Sequence, residues 1–183
     1  MKRLFDIFIS LLLLILLLPI FIVVAFFIKI EGGPVFYSQV RIGKNGELFN
    51  IYKFRSMVIN ASELGGYSTG KNDNRITTIG KFIRKTSIDE LPQLINVIKG
   101  NMSLVGPRPN VPLQKAEYSQ DDWERRNSVL PGITGLAQAT LRSNATPEER
   151  LNLDLNYIQK FSFLFDLKII VLTVKQVLFK GGN

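Results

Sequence analysis

The sequence predicts an α+β protein with an N-terminal membrane-embedded segment, residues 1–30, and a mainly helical domain, residues 31–183. Three observations carry this prediction. An almost unbroken apolar run lies near the start of the chain, two β-like runs separated by a turn follow it, and the remainder shows several apolar patterns at helical spacing. Together these patterns describe one small domain attached to an apolar anchor.

The composition limits the chemistry that this chain can perform. Its 183 residues include 23 Lys and Arg against 15 Asp and Glu, and the net charge of +8 favours a polyanionic partner such as nucleic acid, anionic lipid or a phosphorylated substrate. Cysteine and histidine are absent, which excludes disulfides, thiolate metal sites and the commonest general base. Catalysis would therefore depend on Asp, Glu, Lys, Arg, Tyr, Ser or Thr. A metal cofactor would be a hard cation such as Mg²⁺, which prefers oxygen ligands.

The apolar run from Ile7 to Ile28 is long enough to cross a hydrocarbon core, for which about 20 residues suffice. It is too long for the core of a signal peptide and is interpreted as a retained membrane segment. Pro19 lies near its middle and predicts a kink. Basic residues flank both ends (Lys2, Arg3 and Lys29), and a kinked hairpin with both ends cytoplasmic would agree with the positive-inside rule. An ordinary spanning helix with a tolerated proline is the alternative.

Residues 35–54 predict a β-hairpin. Val35–Arg41 and Leu48–Phe54 are the strand candidates, and the Asn45-Gly46 pair between them is a strong turn signal. Lys53 lies near the end of the second strand. The polar, Gly-rich residues 59–76 that follow predict a loop.

The segment TSIDELPQ, residues 86–93, places Asp89 and Glu90 side by side. One interpretation is a helix start, because Ser87 and Glu90 match a Ser-x-x-Glu capping box and Pro92 fits a first helical turn. The other is chemistry, because adjacent carboxylates with a hard cation suit phosphate transfer: one carboxylate attacks or ligates while the metal offsets repulsion. From these residues alone both interpretations stay open.

Cations surround the dyad in the sequence. Residues 77–87 predict a helix with apolar side chains at helical spacing, and this helix carries Arg84. Arg108 follows the dyad in GPRP, residues 106–109, where two prolines hold it in a rigid turn. Such a basic environment favours the chemical interpretation of the two carboxylates.

Further helices are predicted along the rest of the chain. An apolar stripe over residues 91–98 predicts a helix that ends at Gly100. Residues 113–130 predict a charged helix, and a Thr-x-x-Glu capping box with proline predicts another over residues 146–160. The apolar tail with interspersed lysines, residues 161–180, predicts either an interfacial helix or a core helix of the domain.

Five segments occur together in this chain: KRLFDI, FYSQVRIGKNGELFNIYKFRSM, IGKFIRKTSIDELPQLINVIKGNMSLVGPRP, LPGITGLAQ and YIQKFSFLFDLKII. With them the chain resembles the bacterial sugar transferases known as monotopic polyprenyl-phosphate phosphoglycosyl transferases. The resemblance covers nearly the whole chain, and the combination of motifs is highly specific. The chain resembles the minimal catalytic form of that family, without the extra membrane helices of longer relatives.

The resemblance implies an activity and a mechanism. Such enzymes transfer a phospho-sugar from a UDP-sugar to undecaprenyl phosphate, release UMP and give undecaprenyl-diphosphate-sugar, which initiates glycoconjugate or polysaccharide assembly. The implied mechanism is ping-pong, through a covalent aspartyl phosphosugar intermediate, with Mg²⁺ as cofactor. The implied location is the cytosolic face of the bacterial inner membrane, where membrane lipids are partners, and a homodimer is among the expected assemblies.

The resemblance also implies residue roles. Asp89 would be the nucleophile, and Glu90 would take part in catalysis as the magnesium ligand. The basic positions that would bind substrate phosphate are Lys53, Arg84, Arg108 and Arg142. Pro19 would mark a break in the membrane helix. The expected fold is then an N-terminal re-entrant membrane helix-break-helix plus a small, mainly helical cytosolic domain with a short β-hairpin and interfacial amphipathic helices.

Two other functions compete with the transferase. One is a membrane-tethered protein that binds anionic lipid or nucleic acid through its basic surface. The sequence contains no helix-turn-helix, RNA-recognition or zinc-finger motif, so nucleic acid is not an expected partner. The other is a scaffold for polysaccharide export, which activity of the purified chain would argue against.

Overall fold

The computed structural model describes residues 1–66, 73–141 and 145–180. The α-helices are α1 Lys2–Leu16, α2 Leu18–Ile30, α3 Ala61–Leu64, α4 Thr78–Lys85, α5 Leu94–Lys99, α6 Gln120–Arg126, α7 Leu136–Thr140, α8 Pro147–Gln159 and α9 Phe163–Lys180. The strands are β1 Phe36–Ile42, β2 Leu48–Phe54, β3 Ser103–Val105 and β4 Gly132–Thr134. Short 3₁₀ helices cover Lys44–Gly46, Ile88–Gln93 and Pro112–Glu117. The predicted mixture of helices with a small hairpin is confirmed.

The N-terminal apolar segment is divided into α1 and α2, which are bent by 61° relative to each other. Leu17 separates the two helices, and Pro19 lies in the first turn of α2, where a missing N–H breaks no helical hydrogen bond. In the described part of the chain, no single helix has the length and apolar character needed to cross a membrane, whereas this bent pair taken together meets that criterion. The predicted kink at the proline is therefore confirmed.

Polar side chains fix α1 to the rest of the molecule. The Lys2 ammonium lies 2.5 Å from the carboxylate of Asp166 in α9. The Arg3 guanidinium donates to carbonyl oxygens near the end of α5. The buried carboxylate of Asp6 accepts a hydrogen bond from the Ser103 hydroxyl at 2.7 Å. The first turns of the apolar segment are thus bonded to elements from the middle and the end of the chain.

The strands β1 and β2 form an antiparallel hairpin in which Ile42 pairs with Leu48. Asn45 and Gly46 have positive φ angles of 56° and 83°, in the left-handed region that Asn tolerates and Gly adopts freely. The predicted hairpin and its turn are confirmed. The first strand begins at Phe36, one residue later than predicted, and extends to Ile42.

The main core lies where β3 and β4 meet α7, α8 and α9. The two strands are parallel, with Val105 opposite Thr134. Ile169 of α9 is fully buried in this core. The Tyr157 hydroxyl of α8 lies within hydrogen-bond distance of the Val105 carbonyl, at 3.0 Å, and of the Asp166 carboxylate, at 2.8 Å. Polar contacts therefore connect this core to the same carboxylate that binds the N-terminal helix.

Two helix boundaries are confirmed at their local signals. Gly100 follows α5 with a φ of 95°, the left-handed geometry of a glycine that ends a helix. Thr146 and Glu149 form the reciprocal capping box at the start of α8. Both signals act within a few residues, so neighbouring sequence was enough to predict them.

The prediction of one helix over residues 113–130 is wrong. A 3₁₀ helix ends at Glu117, and α6 begins only at Gln120. The break has a local cause, because the Ser119 side chain accepts a hydrogen bond from the Asp122 N–H at 3.2 Å and so starts a new helix.

The C-terminal helix α9 buries one face and exposes another. Asp166 and Ile169 are buried, whereas large apolar side chains are exposed at Leu164, Val171, Val174 and Phe179. The core-helix interpretation of this segment is therefore confirmed for the buried face. An interfacial role for the exposed face stays a prediction.

The bend at Pro19 yields a prediction about topology in a membrane. Leu4 of α1 and Lys81 of α4 are both exposed, and the chain has no cysteine, so Leu4→Cys and Lys81→Cys each introduce a single thiol. We expect both thiols to react with an impermeant maleimide from the same face of membrane vesicles. Pro19→Ala should straighten the segment and make a fraction of the position-4 thiol react from the opposite face.

The matched control is Ile20→Ala, which changes the neighbouring exposed residue of α2 and leaves the proline in place. It should label like the parent chain. A position-4 thiol that reacts from the face opposite to position 81 while Pro19 is present would contradict the hairpin.

Candidate active site

The acidic pair follows the end of α4. Thr77 caps the start of α4 by accepting a hydrogen bond from the Gly80 N–H at 3.0 Å. After α4 ends, Ser87 adopts a left-handed conformation with a φ of 59°, and the chain turns into the 3₁₀ helix Ile88–Gln93, the dyad helix. This change of direction brings Asp89 to a buried position, 7% exposed.

The predicted capping box between Ser87 and Glu90 is wrong. The Ser87 side chain makes no capping hydrogen bond, because its left-handed backbone differs from the extended conformation of an N-cap residue. The Glu90 side chain instead bonds Lys53 and Arg108. The α-helix expected to begin near the dyad begins only at Leu94, after the dyad helix.

Asn96 of α5 joins the helix after the dyad to the hairpin. Its fully buried side chain accepts a hydrogen bond from the Tyr52 N–H at 3.0 Å and donates one to the Asn50 carbonyl at 2.7 Å. One side chain thus satisfies two main-chain groups of β2 that a further strand would otherwise have to pair. The dyad helix is thereby held beside Lys53 on β2.

Glu90 lies between two cations from different parts of the chain. The Lys53 Nζ is 2.6 Å from Glu90 Oε1. The Arg108 guanidinium makes a forked contact, with Nη2 donating to Oε1 at 2.8 Å and Nη1 donating to Oε2 at 3.3 Å. Burial alone would raise the pKa of Glu90, but Arg108 and Lys53 outweigh it and hold that pKa well below its usual range. Glu90 is therefore ionised, and both of its oxygens are engaged.

Asp89 has a different environment from its neighbour. Its side chain accepts no hydrogen bond from the part of the chain that the structure describes. Burial raises the pKa of Asp89 to about 6, and the charge of Glu90 adds to the effect, against the opposing influence of Lys53 and Arg84. A buried carboxylate without a donor is costly, and perturbed groups of this kind are typical of functional sites.

The position of Arg108 depends on the main chain of the GPRP segment, residues 106–109. Proline has no N–H, so this segment is anchored mainly through its carbonyl groups. The Pro107 carbonyl accepts a hydrogen bond from a main-chain N–H of β4 at 2.9 Å. The Pro109 carbonyl accepts one from the Arg41 guanidinium at 3.1 Å. The segment is therefore fixed from both sides of the site.

The structure brings most of the predicted site residues into one cluster, joined by direct contacts or by electrostatic interactions. Its members are Lys53, Arg84, Asp89, Glu90 and Arg108. Arg142 lies outside the described residues. Pro19 lies in the first turn of α2, two residues after the break at Leu17. The roles assigned to these residues stay predictions.

Arg41 is a cation of this cluster that the sequence did not identify as a site residue. Burial lowers the pKa of Arg41 to about 10, and the nearby Arg108 adds to the lowering. The only sequence signal was a basic residue at the end of a strand. Its partner Pro109 is 68 residues away along the chain, so the sequence alone could not show the contact.

The two carboxylates of the site are the groups that could hold the expected magnesium ion. Among the residues that the structure describes, no group of three or more Asp, Glu, His or Cys side chains is arranged to hold a metal. The Glu90 oxygens face two cations, whereas Asp89 accepts no hydrogen bond there. Mg²⁺ usually keeps several waters and binds one or two carboxylates together with substrate phosphates. Within the described residues, Glu90 Oε2 accepts only the 3.3 Å contact from Arg108 and keeps a lone pair, so this oxygen and the Asp89 carboxylate match that pattern.

Comparison with known proteins gives consistent matches. A model of the family described as bacterial sugar transferase matches residues 1–180. The chain is 45% identical over 188 residues to the UDP-glucose:undecaprenyl-phosphate glucose-1-phosphate transferase of Klebsiella pneumoniae, covering 98% of the chain and 40% of that relative. It is 41% identical over 197 residues to the undecaprenyl-phosphate galactose phosphotransferase of Salmonella typhimurium, covering 100% of the chain and 41% of that relative.

A third relative is similar in length. The chain is 42% identical over 193 residues to the exopolysaccharide production protein PSS of Rhizobium leguminosarum bv. phaseoli, covering 99% of the chain and 96% of that protein. The chain thus spans about two fifths of the first two relatives and nearly all of the third.

Because Glu90 and Asp89 have different environments, we expect their amide substitutions to affect stability differently. Glu90→Gln removes the anion between Lys53 and Arg108, and we expect it to cost about 2 kcal/mol, since hydrogen bonds to charged groups contribute roughly 1.5–3 kcal/mol. The melting temperature should fall by roughly 4–8 °C for a chain of this size. Thermal unfolding of the purified protein in detergent measures the change.

Asp89→Asn is the matched variant. It removes a buried charge that accepts no hydrogen bond within the described residues, so the melting temperature should stay the same or rise. Equal destabilisation by the two substitutions would show that the site does not distinguish its carboxylates in this way.

Proposed function

The chain belongs to the bacterial sugar transferase family, and on that premise we propose that it transfers a phospho-sugar from a UDP-sugar to undecaprenyl phosphate. Two relatives that it matches along nearly its whole length are named for the transfer of glucose phosphate or galactose phosphate to that lipid. The product would be undecaprenyl-diphosphate-sugar, a starting unit for glycoconjugate or polysaccharide assembly. The name of a third relative refers to exopolysaccharide production, which fits this assignment.

The observation that supports this function best is the state of Asp89. Its carboxylate is buried and accepts no hydrogen bond from the described residues, while Lys53, Arg84 and Arg108 act on it electrostatically. Glu90 shares its helix but is already engaged by two of these cations. Of the two carboxylates, Asp89 is therefore the one free to react with a phosphate that the cations attract.

In the proposed first step, an Asp89 carboxylate oxygen attacks the phosphorus that carries the sugar. A bond forms between that oxygen and the phosphorus, and the bond from the phosphorus to the bridging oxygen of the diphosphate breaks. The bridging oxygen leaves with UMP. Asp89 then carries the phospho-sugar as an acyl phosphate, which is an activated intermediate.

In the second step, a phosphate oxygen of undecaprenyl phosphate attacks the same phosphorus. The bond from the phosphorus to the Asp89 oxygen breaks, and the carboxylate is restored. No proton donor is needed at the aspartate, because a carboxylate is a good leaving group from an acyl phosphate. Two successive transfers of this kind predict ping-pong kinetics.

The surrounding cations match the charge of a diphosphate. Lys53, Arg84, Arg108 and Arg41 provide four positive charges against the two carboxylates. Arg108 presents a planar fork that suits phosphate oxygens as it suits the Glu90 carboxylate. These groups would orient the diphosphate and stabilise the charge that moves to UMP when the bond breaks.

The proposed cofactor is Mg²⁺, for which Glu90, the neighbouring Asp89 and the substrate phosphates supply oxygen ligands. When bound, the ion would neutralise negative charge on the reacting phosphates. With the ion bound, Asp89 would still attack the phosphorus, and Lys53 and Arg108 would still hold Glu90 in place.

The apolar surface of the anchor suits a lipid acceptor. Exposed side chains recur along one stripe of α1, at Phe8, Leu11 and Ile15. We place the anchor in the bacterial cytoplasmic membrane as a re-entrant helix pair, with the catalytic part on the cytosolic face. The phosphate of undecaprenyl phosphate would then lie at the depth of the active site.

Replacement of the nucleophile tests the proposed function. Asp89→Asn should reduce UMP release from UDP-glucose or UDP-galactose by roughly a thousandfold or more, because an amide cannot form the acyl phosphate. Incubation of the parent chain with UDP-sugar and no lipid should leave a phospho-sugar on the peptide that contains Asp89, as measured by mass spectrometry. Asp121→Asn, a highly exposed aspartate on α6, is the control and should retain activity.

Full turnover by Asp89→Asn would overturn the nucleophile assignment. UMP release that always requires the lipid, with no adduct on the protein, would indicate direct transfer in a ternary complex instead.

Metal removal tests the cofactor. With excess EDTA we expect UMP release to fall to background, and added Mg²⁺ should restore it, because the diphosphate carries charge that the ion offsets. Undiminished release in EDTA would contradict the magnesium requirement and leave the nucleophile assignment intact.

A further inference from the structure

A buried ion pair lies behind the active site. Arg126 of α6 and Asp154 of α8 both have side chains that are 1% exposed. Arg126 Nε donates to Asp154 Oδ2 at 2.9 Å, and Arg126 Nη2 lies 2.8 Å from the same oxygen. The pair joins two helices whose other side chains form no part of the proposed chemistry.

The same guanidinium reaches the active site through the main chain. Arg126 Nη2 also donates to the carbonyl oxygen of Arg108 at 2.7 Å. That carbonyl lies between two prolines in the GPRP segment, and neither proline can supply an N–H to a neighbouring group. The next carbonyl, of Pro109, accepts from Arg41 at 3.1 Å. Two arginines therefore hold consecutive carbonyls of the segment that presents Arg108.

These contacts form a continuous series of hydrogen bonds. Asp154 fixes Arg126, Arg126 fixes the Arg108 carbonyl, and the Arg108 side chain forks onto Glu90 beside Asp89. Stability alone is a weak reason for such an arrangement, because a buried ion pair often contributes no more than well-packed apolar residues would. Apolar residues could not replace the hydrogen bond that Arg126 donates to the Arg108 carbonyl.

We propose that Arg126, held by Asp154, is a positioning residue that aims the Arg108 guanidinium at Glu90 and at the substrate diphosphate. Its effect on the substrate rests on the proposed function. Its effect on the contact between Arg108 and Glu90 does not, so the two can be tested separately.

The test variant is Arg126→Lys in the full chain, purified in detergent. Lysine keeps a cation against Asp154 but is shorter and lacks the planar fork, so it should lose the contact with the Arg108 carbonyl. The first readout is the coupling between Arg108→Ala and Glu90→Gln in thermal unfolding, measured with Arg126 present and with Arg126→Lys. We expect the non-additivity of the two melting-temperature shifts to fall by at least about half when Arg126 is replaced.

The second readout is binding of UDP in the presence of magnesium chloride. Arg126→Lys should weaken it by about tenfold, as for the loss of one hydrogen bond to a charged group. When Arg108→Ala is already present, Arg126→Lys should cause no further loss. A purely structural role for Arg126 would weaken binding equally in both backgrounds.

Two further variants keep the experiment decisive. Arg125→Lys changes the adjacent arginine of α6, whose side chain is 47% exposed, and should alter neither readout. If Arg126→Lys unfolds, the charge-free double variant Arg126→Met with Asp154→Leu replaces the pair by apolar side chains, which such sites often tolerate. It also lacks a donor to the Arg108 carbonyl and should give the same loss of coupling.

Unchanged coupling between Arg108 and Glu90 in the folded variants would overturn the positioning role, whatever the activity. Failure of the parent chain to bind UDP or to release UMP would count against the proposed function and would leave the result on coupling valid.

Discussion

The contact of Glu90 with its two cations is the interaction on which the candidate active site depends. It joins three separate parts of the chain: β2 through Lys53, the dyad helix, and the GPRP segment through Arg108. The partners lie 37 and 18 residues from Glu90 in the sequence, so this carboxylate is a long-range constraint and not a local helix cap. Asn96 and the donors to the GPRP carbonyls surround this contact and limit how far each part can move.

The same contact explains why two adjacent carboxylates differ so much. Side chains of consecutive residues in a 3₁₀ helix are directed about 120° apart, so one of them can meet both cations while the other cannot. Glu90 takes both partners, and burial raises the pKa of Asp89 to about 6, with Glu90 as a further cause. Reactive sites commonly contain a group whose position destabilises the fold, and the surrounding structure holds that group in place. The contacts of Glu90 stabilise the same short helix and so offset the free-energy cost of burying Asp89.

Sequence reasoning succeeded where a signal acts over a few residues. The Asn45-Gly46 turn, the glycine after α5 and the capping box at Thr146 all depend on neighbours, and all are present. It failed at Ser87, where a matching capping pattern was outweighed by the distant partners of Glu90. The dyad with Arg84 and Arg108 stood out in the sequence itself. The role of Asp89 and the inclusion of Lys53 came from the family resemblance, since their proximity depends on folding that no local pattern encodes. Arg126 and Asp154, 28 residues apart, gave no local signal at all.

The polar contacts of the N-terminal helix have a consequence for biosynthesis. Lys2 bonds a residue 164 positions later, and Asp6 bonds one 97 positions later. Because translation runs from the N-terminus, α1 leaves the ribosome long before its partner Asp166, which lies 164 residues after Lys2. In that interval α1 lacks these polar partners and its apolar side chains are prone to aggregation, which favours early capture by a lipid surface or a chaperone. The proposed insertion of this segment into a membrane and the completion of the fold are thus separate events in time.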